Sequence, residues 1–450
     1  MTITTSIPRH LLAFSILTLI LMPISIYSTP TQLDSFAVAA DDPLSVILMI
    51  GDGMGYQHVE LARLVEVGDS GSLIMQDSDW NASIITSSAN SAVTDSAAAA
   101  TAMATGLKTN NGFISIDSSH VILETILEYA QTLNKSTGII ATSRLTHATP
   151  ACFMTHVDDR NNEVEIARQI VEVANVDVIL GGGMSYFSGA QLTTMESKGY
   201  SIVYNRTELA AMTTGRIFGL FSQDHMDYEY DRDYSEQPSI AEMTNKSLEI
   251  LSQDTDGFFL MVEGSKIDHA AHAWDKTRTA LDTIAFDKAI DVAIDYVEAH
   301  VNTILIVTAD HETGGLGIVS NNLNSELPAD LLSEGEKRNL RADRVSNITV
   351  SWTTGSHTSS NVPLFAFGEP FLNLAEDVTI HNTEIFDLMK DHLDGLPLSV
   401  TPISTTTTTT ATPTTSPTPT PLPGDSSLIV IASVTAVALV VVVAILMKKR

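Results

Sequence analysis

Short, largely apolar runs recur along the middle of the chain. Six of them are Ser45–Ile50, Gly138–Ala141, Val176–Leu180, Phe258–Val262, Thr303–Thr308 and Pro363–Phe367. A strand that is apolar at nearly every position is typical of a parallel sheet covered on both faces, because neither row of its side chains meets water. The pattern therefore predicts that these runs are the buried strands of such a sheet.

Helical periodicity occupies the intervals between the runs. Ile240–Leu251 and Thr277–Glu298 are the clearest cases, and the second has apolar residues at Ala280, Ile284 and Ile290, near the helical repeat. The alternation predicts an α/β fold: one doubly wound domain, a three-layer αβα sandwich with a central, mostly parallel β-sheet. Ligands of such sheets bind beyond the carboxyl ends of the strands, so the residues after each run are the candidates for function.

The first 28 residues have the pattern of a secretory signal peptide. Arg9 and His10 precede an apolar run from Leu11 to Ile26, and small residues follow near Ser28. The run is short for a membrane span, which favours cleavage; a retained N-terminal anchor is the alternative. Residues 1–28 are therefore predicted to be a signal peptide, and residues 41–396 one folded domain.

The C-terminal part predicts a tethered protein. Residues 397–427 are rich in Thr and Pro, a composition that stays extended, as in an O-glycosylated stalk. Residues 428–447 are apolar and long enough for a transmembrane helix, and the basic residues 448–450 predict a cytoplasmic tail. A GPI signal fits less well because it does not end in a basic cluster. Removal of a sorting tail after Pro423-Gly424 is the other alternative.

The composition narrows the choice of partners. The chain has 54 acidic and 24 basic side chains, a formal net charge of −30, which disfavours nucleic acid or anionic lipid because both are bound by a positive face. The one cysteine, Cys152, excludes an intramolecular disulfide framework and a Cys-built zinc site; a small buried apolar role suits it. Five N-x-S/T sequons fit an exported surface: Asn81, Asn134, Asn205, Asn245 and Asn347.

Acidic residues and histidines cluster around four of the predicted strands. They are Asp52 after the first run, Glu263, Asp268, His269 and His272 after the Phe258 run, Asp310 and His311 after the Thr303 run, and His357 before the Pro363 run. Carboxylates and imidazoles gathered at one sheet edge are costly unless a cation neutralises them. Zn²⁺ binds Asp oxygen and His nitrogen readily, and Mg²⁺ prefers carboxylates, hydroxyls and water. Singly each residue fits a surface turn, but together they predict a divalent metal site.

A serine and two arginines are candidates for binding an anion. Thr94 or Asp95 is the predicted N-cap of an alanine-rich helix, so Ser96 lies in the first turn, where free N–H groups attract an anion. An ordinary capped helix has the same local pattern, but near a metal Ser96 is a candidate nucleophile. Arg144 and Arg160 follow the Gly138 run, and a guanidinium matches two phosphate oxygens, although either arginine alone would be a surface charge.

Taken in order along the chain, these segments resemble the alkaline phosphatase family. The matching motifs are G-D-G-M-G from Gly51, T-D-S-A-A-A-A-T-A from Thr94, H-A-T-P from His147, V-E-G-S-K-I-D-H-A-A-H from Val262, T-A-D-H-E-T-G-G from Thr308 and G-S-H-T from Gly355. One motif alone would mean little, but the ordered set covers nearly all of residues 41–396. The resemblance implies that this domain is a phosphoric monoester hydrolase that acts outside the cell through a phosphoserine.

The resemblance also implies a role for each matched residue. Ser96 is the nucleophile, Arg160 holds the substrate phosphate, and Asp95 orients Arg160. The implied cofactors are two Zn²⁺ and one Mg²⁺ per subunit, with Asp268, His272 and His357 at one zinc, Asp52, Asp310 and His311 at the other, and Asp52, Thr149 and Glu263 at magnesium. His147 and His269 stand where the best-known bacterial enzyme has Asp and Lys. The histidine pair resembles the animal members and some other bacterial members, and both residues are expected to tune the third metal and phosphate release from behind the ligands.

The implied partners are small phosphate monoesters, a second copy of the chain in a homodimer, and the membrane through the C-terminal helix, with no nucleic-acid-specific binding.

A phosphodiesterase or sulfatase of the same superfamily is the nearest alternative function. Sulfatases require Cys or Ser in a C/S-x-P-x-R context, which is absent around Ser96. A non-catalytic surface protein, an adhesin or S-layer component, is a third reading, but the complete set of matched ligands argues against it.

Overall fold

Ten strands form the central sheet of the protein, whose computed structural model describes residues 43–323 and 333–403. The strands in chain order are β1 (Ser45–Gly51), β2 (Trp80–Ile85), β3 (Ser136–Arg144), β4 (Val178–Gly182), β5 (Tyr200–Val203), β6 (Arg216–Leu220), β7 (Phe258–Gly264), β8 (Thr303–Thr308), β9 (Glu312–Thr313), β10 (Gly317–Asn321), β11 (Ile348–Ser351), β12 (His357–Thr358), β13 (Val362–Phe367) and β14 (Val378–His381). Their order across the sheet is β14-β2-β13-β8-β1-β7-β3-β4-β6-β5, while β10 pairs with β11 and β12 with β9.

Most neighbouring strands run parallel, as the apolar runs predict. Strand β1 lies between β7 and β8, so Val46 pairs with both Phe259 and Ile304. All seven residues of β1 are buried, because helices cover the sheet on both faces. Strand β13 differs, because it runs antiparallel to both β8 and β2. The apolar pattern of a strand predicts its burial but not its direction.

Two groups of helices cover the sheet. The helices are α1 (Tyr56–Val67), α2 (Ser96–Thr105), α3 (Ile126–Thr132), α4 (Ala148–Met154), α5 (Glu163–Glu172), α6 (Gly189–Ser197), α7 (Arg206–Ala211), α8 (Ile240–Leu251), α9 (Lys266–His272), α10 (Lys276–Ala299), α11 (Glu334–Ser346) and α12 (Glu384–Leu393). Helices α1, α8, α9 and α11 pack on α10, whereas α2, α3 and α4 pack together, and α2 and α3 also pack with α12. Both α10 and α12 contact β1, which confirms the layered α/β prediction.

Several terminal predictions fall outside the described residues. These are the signal peptide at residues 1–28, the stalk from residue 404 onward, the transmembrane helix at residues 428–447 and the tail at residues 448–450. Within residues 43–323 and 333–403, no helix combines the length and the apolar character that a membrane span requires. Residues 397–403, the described start of the predicted stalk, contain neither helix nor strand.

A buried histidine on α12 makes the stability of the fold depend on pH. His392 is 4% exposed and its Nε2–H donates to the carbonyl of Asn302 at 2.9 Å. Burial lowers the pKa of His392 from 6.5 to about 4. Between pH 6.5 and 4 this histidine is protonated in the unfolded chain but neutral in the folded chain. The free energy of unfolding therefore falls as the pH drops through this window.

We expect His392→Gln to remove this dependence, because its amide can still donate to Asn302. The free energy of unfolding of the wild-type protein should fall by about 3 kcal/mol more than that of the variant between pH 7 and 4. Urea titrations at both pH values measure the difference, and comparing two proteins with the same metal site cancels the effect of metal loss. If the free energy of unfolding changed equally in the two proteins between pH 7 and 4, His392 would not be the source of the pH dependence.

Candidate active site

The polar residues singled out in the sequence meet at one edge of the sheet. Strands β8, β1, β7 and β3 are parallel neighbours, and their carboxyl ends carry Asp310, Asp52, Glu263 and Arg144 in that order. The first three are fully buried. This is the edge at which open α/β sheets bind ligands, so the strand order itself assembles the site.

Ser96 stands at the first position of α2 and beside His311. Asp95 is the N-cap, and its Oδ1 accepts from the Ala98 N–H at 3.0 Å. Because the cap residue precedes Ser96 directly, the hydroxyl lies at the positive end of the helix dipole. Its Oγ is 3.2 Å from His311 Nε2, and Ser96 is almost wholly buried.

Arg160 is held beside Ser96 by the same cap residue. Its Nη1 donates to Asp95 Oδ2 at 3.0 Å, and that oxygen also accepts from the Gly112 N–H at 3.0 Å. The Arg160 backbone N–H donates to the Gly112 carbonyl at 2.9 Å. Asp95 therefore links the helix that carries Ser96 to the arginine, whose side chain is 22% exposed and whose Nη2 lies 3.4 Å from His147 Nε2.

Asp52, Asp310 and His311 form the first group of candidate metal ligands. His311 Nε2 lies 3.1 Å from Asp310 Oδ2 and 3.6 Å from Asp52 Oδ1. The other Asp310 oxygen accepts from the Gly53 and His311 N–H groups, each at 3.0 Å, which leaves Oδ2 directed at the group. Thr313 Oγ1 lies 3.2 Å from His311 Nδ1 and donates to Asp268, so it accepts from Nδ1–H and leaves Nε2 as the free ligand atom.

Asp268, His272 and His357 form the second group. His272 Nε2 lies 3.3 Å from Asp268 Oδ1 and 3.2 Å from His357 Nε2, which is itself 3.7 Å from the same Asp268 oxygen. His311 also lies within ligand reach of Asp268 and His357. Asp268 and His272 are one turn apart on α9, and strand β12, which pairs with β9, brings in His357.

The hydrogen bonds of the two rings fix which nitrogen faces the other. His272 Nδ1 lies 2.8 Å from the Gly355 carbonyl and His357 Nδ1 lies 2.9 Å from the Thr94 carbonyl. A carbonyl only accepts, so both Nδ1 atoms carry hydrogen. Burial and then the charge of His311 lower the pKa of His357 to about 4, which keeps this ring neutral. The Nε2 atoms of His272 and His357 therefore face each other at 3.2 Å, an arrangement that a cation bound to both would stabilise.

The third group surrounds Glu263 at the end of β7. Asp52, Glu263 and His147 offer ligand atoms within reach of one another. Thr149, in the first turn of α4, is buried, and its hydroxyl makes no hydrogen bond to the described residues. Ser143 Oγ donates to Glu263 Oε2 at 3.2 Å. Asp52 thus belongs to two groups and lies between them.

The electrostatics of these buried carboxyls fit a bound cation. Among the described residues, both oxygens of Asp52, one of Asp310 and one of Glu263 have no hydrogen bond. Burial, and then the charges of Asp310, Asp268 and Glu263, raise the pKa of Asp52 well above 3.8. Burial also raises the pKa of Glu263 to about 7. Buried carboxyl oxygens without donors are costly, and divalent cations are the partners that these oxygens and imidazole nitrogens suit.

His147 and His269 lie behind the ligand groups, together with a histidine that the sequence did not single out. The ring of His225 is 4.3 Å from that of His269 and 5.6 Å from that of His147, between centroids. Burial lowers the pKa of all three, to about 3 for His269 and about 4 for His225. His225 follows strand β6, so the rule that located Asp52 would have located it had this strand been predicted.

The guanidinium of Arg144 pairs with residues outside the three ligand groups. It forms a fork with both oxygens of Glu163, at 2.6 and 2.8 Å, and contacts His225. Its charge is therefore already paired, and Arg160 is the arginine of this segment that Asp95 connects to the helix of Ser96. Cys152 is buried with its Sγ 3.2 Å from the Ala97 carbonyl, as predicted for a small core residue.

Hydrolysis of phosphate esters is the chemistry that this arrangement suits, because divalent cations and an arginine next to a serine hydroxyl stabilise a transferring phosphoryl group. The sequence profile of the alkaline phosphatase family matches residues 44–330, which is more than half of the chain. The chain is also 32% identical over 410 residues to Alkaline phosphatase 4 of Bacillus subtilis, covering 77% of this chain and 88% of that protein. The chain therefore belongs to the alkaline phosphatase family, and it is a phosphomonoesterase.

Solved structures agree with this assignment. The cold-active alkaline phosphatase of Shewanella sp. superposes with a TM-score of 0.68 at 30% identity, covering 79% of this chain and 100% of that one. A histidine-to-glutamate mutant of the TAB5 alkaline phosphatase, with Mg bound in its M3 site, superposes with a TM-score of 0.65 at 30% identity, covering 79% and 99%. The central sheet with its covering helices is thus the family's fold.

Proposed function

We propose that the protein hydrolyses phosphate monoesters outside the cell through a phosphoserine at Ser96, with two Zn²⁺ and one Mg²⁺ in the adjoining groups. The observation that carries this proposal is the placement of Ser96 Oγ 3.2 Å from His311 Nε2, next to buried carboxyl oxygens of Asp52 and Asp310 that accept no hydrogen bond from the described residues. A non-catalytic module would have no use for buried groups that oppose folding.

Each ligand group suits one ion. Asp268, His272 and His357 would hold one Zn²⁺, and Asp52, Asp310 and His311 the second, because mixed nitrogen and oxygen donors are typical of zinc. Asp52, Glu263 and Thr149 would hold Mg²⁺, which prefers carboxylate and hydroxyl oxygen. The Mg reported for the TAB5 mutant supports a third site in this family, and His147 lies within reach of it here.

The chain's own residues then perform two successive displacements. When bound, the divalent ions would lower the hydroxyl pKa of Ser96 and offset charge on the phosphoryl oxygens. Ser96 Oγ attacks phosphorus as the bond to the ester oxygen breaks, and the alcohol leaves with the proton that the hydroxyl loses. Water then attacks the phosphoserine from the opposite side, which regenerates Ser96 and releases phosphate with retained configuration. Arg160 holds two phosphoryl oxygens throughout, and Asp95 keeps its fork oriented.

Selectivity for monoesters should depend on Arg160. A monoester has three non-bridging oxygens to share between this guanidinium and the metal ions, whereas a diester has only two. We expect Arg160→Ala to lower kcat/KM for an aryl phosphate monoester by about 10²-fold and to affect an aryl diester less. Arg168→Ala is the matched control, since Arg168 pairs with Glu165 and Glu172 on the surface of α5. Steady-state rates with a monoester, a diester and a sulfate of one phenol measure this. A wild-type protein that prefers the diester or the sulfate would refute the proposal.

We also propose export, membrane tethering through residues 428–447 and a homodimer. The terminal segments of the sequence support the first two, and four of the five sequon asparagines, Asn81, Asn134, Asn245 and Asn347, are exposed, as glycosylation or export would require. Family resemblance supports the dimer. Phosphate release by intact cells, compared with lysed cells, tests the location: activity that appears only after lysis would contradict it.

A further inference from the structure

Trp274 is a large apolar side chain exposed next to the candidate active site. It is 56% exposed, whereas Trp80 is buried, and it follows the predicted ligand His272 by two residues. Its φ is +58°, in the left-handed region that bulky residues rarely adopt. Such conformations persist only where the surroundings impose them, and they concentrate at ligand-binding sites.

Two hydrogen bonds hold the indole in place. The Trp274 backbone N–H donates to the Ala271 carbonyl at 3.0 Å, and its Nε1–H donates to the Thr354 carbonyl at 2.7 Å. The ring lies against Gly355, where a side-chain β-carbon would meet its Nε1 at 3.6 Å and Cε2 at 3.8 Å. Gly355 in turn accepts from His272 Nδ1. Because Nε1 is already used, the ring can offer a ligand only its apolar face.

The position of the ring matters for the leaving group, and this step rests on the proposed function. In an in-line displacement the ester oxygen departs on the side opposite to the attacking Ser96. Because Ser96 lies beside His311 of the first ligand group, we place the departing oxygen at the second group, which is Asp268, His272 and His357. The side chain of His272 is 36% exposed, whereas those of Asp52, Asp310 and His311 are fully buried. The leaving alcohol therefore reaches solvent past His272, along the rim formed by Gly355 and Trp274.

We propose that Trp274 is a specificity-determining residue that stacks on planar aromatic leaving groups of phosphate monoesters. A rigid indole face favours flat rings through offset stacking, and stacking tolerates different ring systems because every aromatic ring has a π-face. A small alkyl leaving group would gain little from it. Phosphate itself, which carries no leaving group, would gain nothing.

The test compares purified, metal-loaded wild-type protein with Trp274→Ala and Trp274→Phe. For 2-naphthylmethyl phosphate, Trp274→Ala should lower kcat/KM about tenfold, and Trp274→Phe should restore most of it. Ethyl phosphate, phosphocholine and inhibition by inorganic phosphate should change less than about twofold. Tyr204→Ala, an exposed aromatic at the end of the edge strand β5, is the matched control.

A binding measurement gives a readout besides activity. Naphthylmethyl phosphonate should change the tryptophan fluorescence of the wild-type protein more than that of Trp274→Phe, and ethyl phosphonate should not. The proposal is overturned if both substrates lose activity equally, if neither does, if phosphocholine is the substrate most affected, or if Trp274→Ala changes the oligomeric state and the loss follows that change. Failure of the wild-type protein to hydrolyse even ethyl phosphate would instead count against the proposed function.

Discussion

Substitution of Ser96 by alanine is expected to lower the turnover of phosphate monoesters by roughly 10³-fold or more. The variant lacks the only hydroxyl placed 3.2 Å from His311 Nε2 among the described residues, so no phosphoserine can form at this position. The cap on α2 comes from Asp95 and not from Ser96, so the helix should remain intact. Metal content should change far less than the rate, because Ser96 is not among the ligands.

Two measurements check this prediction. Steady-state kinetics beside metal analysis separates loss of the nucleophile from loss of the ions, and mass spectrometry of an acid-quenched reaction should find the phosphoryl group on the peptide that contains Ser96. Thr105→Ala is the matched control, because Thr105 ends the same helix and its hydroxyl bonds the Thr101 carbonyl at 2.8 Å. Near-normal phosphate release by the Ser96 variant would show that the nucleophile is another group.

Substitution of Asp52 by asparagine should have the second largest effect. Asp52 belongs to two of the candidate ligand groups, so loss of its charge weakens two ions at once while the shape of the side chain is kept. We expect at least a 10²-fold loss of turnover, roughly the value of one strong electrostatic contact, with lower metal content. Thermal stability of the metal-loaded protein should fall accordingly.

The chelated proteins should show the opposite order of stability. Without cations, Asp52 is a buried carboxyl whose pKa is raised by burial and by three neighbouring carboxyls, so its neutral replacement relieves repulsion. The free energy of unfolding of the chelated variant should therefore exceed that of the chelated wild-type protein by on the order of 1–4 kcal/mol. Asp69→Asn, at the exposed end of α1, controls for the loss of one charge. The same order of stability with and without chelator would contradict the role of Asp52.

The central strands could be predicted from the sequence because burial on both faces leaves an unbroken apolar pattern. Strand β2 escaped prediction because its residues alternate between buried and partly exposed, as expected near a sheet edge. The edge strands β5 and β14 have only four residues each, too few for a clear period. The direction of β13 could not be predicted, because it depends on the loop that returns from His357.

The ligand groups could be predicted as a set because parallel strands end at a common edge. Their finer arrangement could not. That Thr94 and Gly355 carbonyls orient His357 and His272 depends on backbone contacts between segments far apart in sequence. For the same reason the sequence could not predict the pairing of Arg144 with Glu163, which uses the charge of this candidate anion-binding residue.

The most direct test of the account is the metal content of the purified protein measured together with its activity. We predict two zinc ions and one magnesium ion per chain, complete loss of phosphate release after chelation and dialysis, and its return when both metals are restored. The ligands must be deprotonated, so activity should also rise toward alkaline pH. A protein that keeps full activity after exhaustive chelation, with no bound divalent cation, would contradict the claim that cations hold Asp52, Asp310, His311 and His357 together beside Ser96.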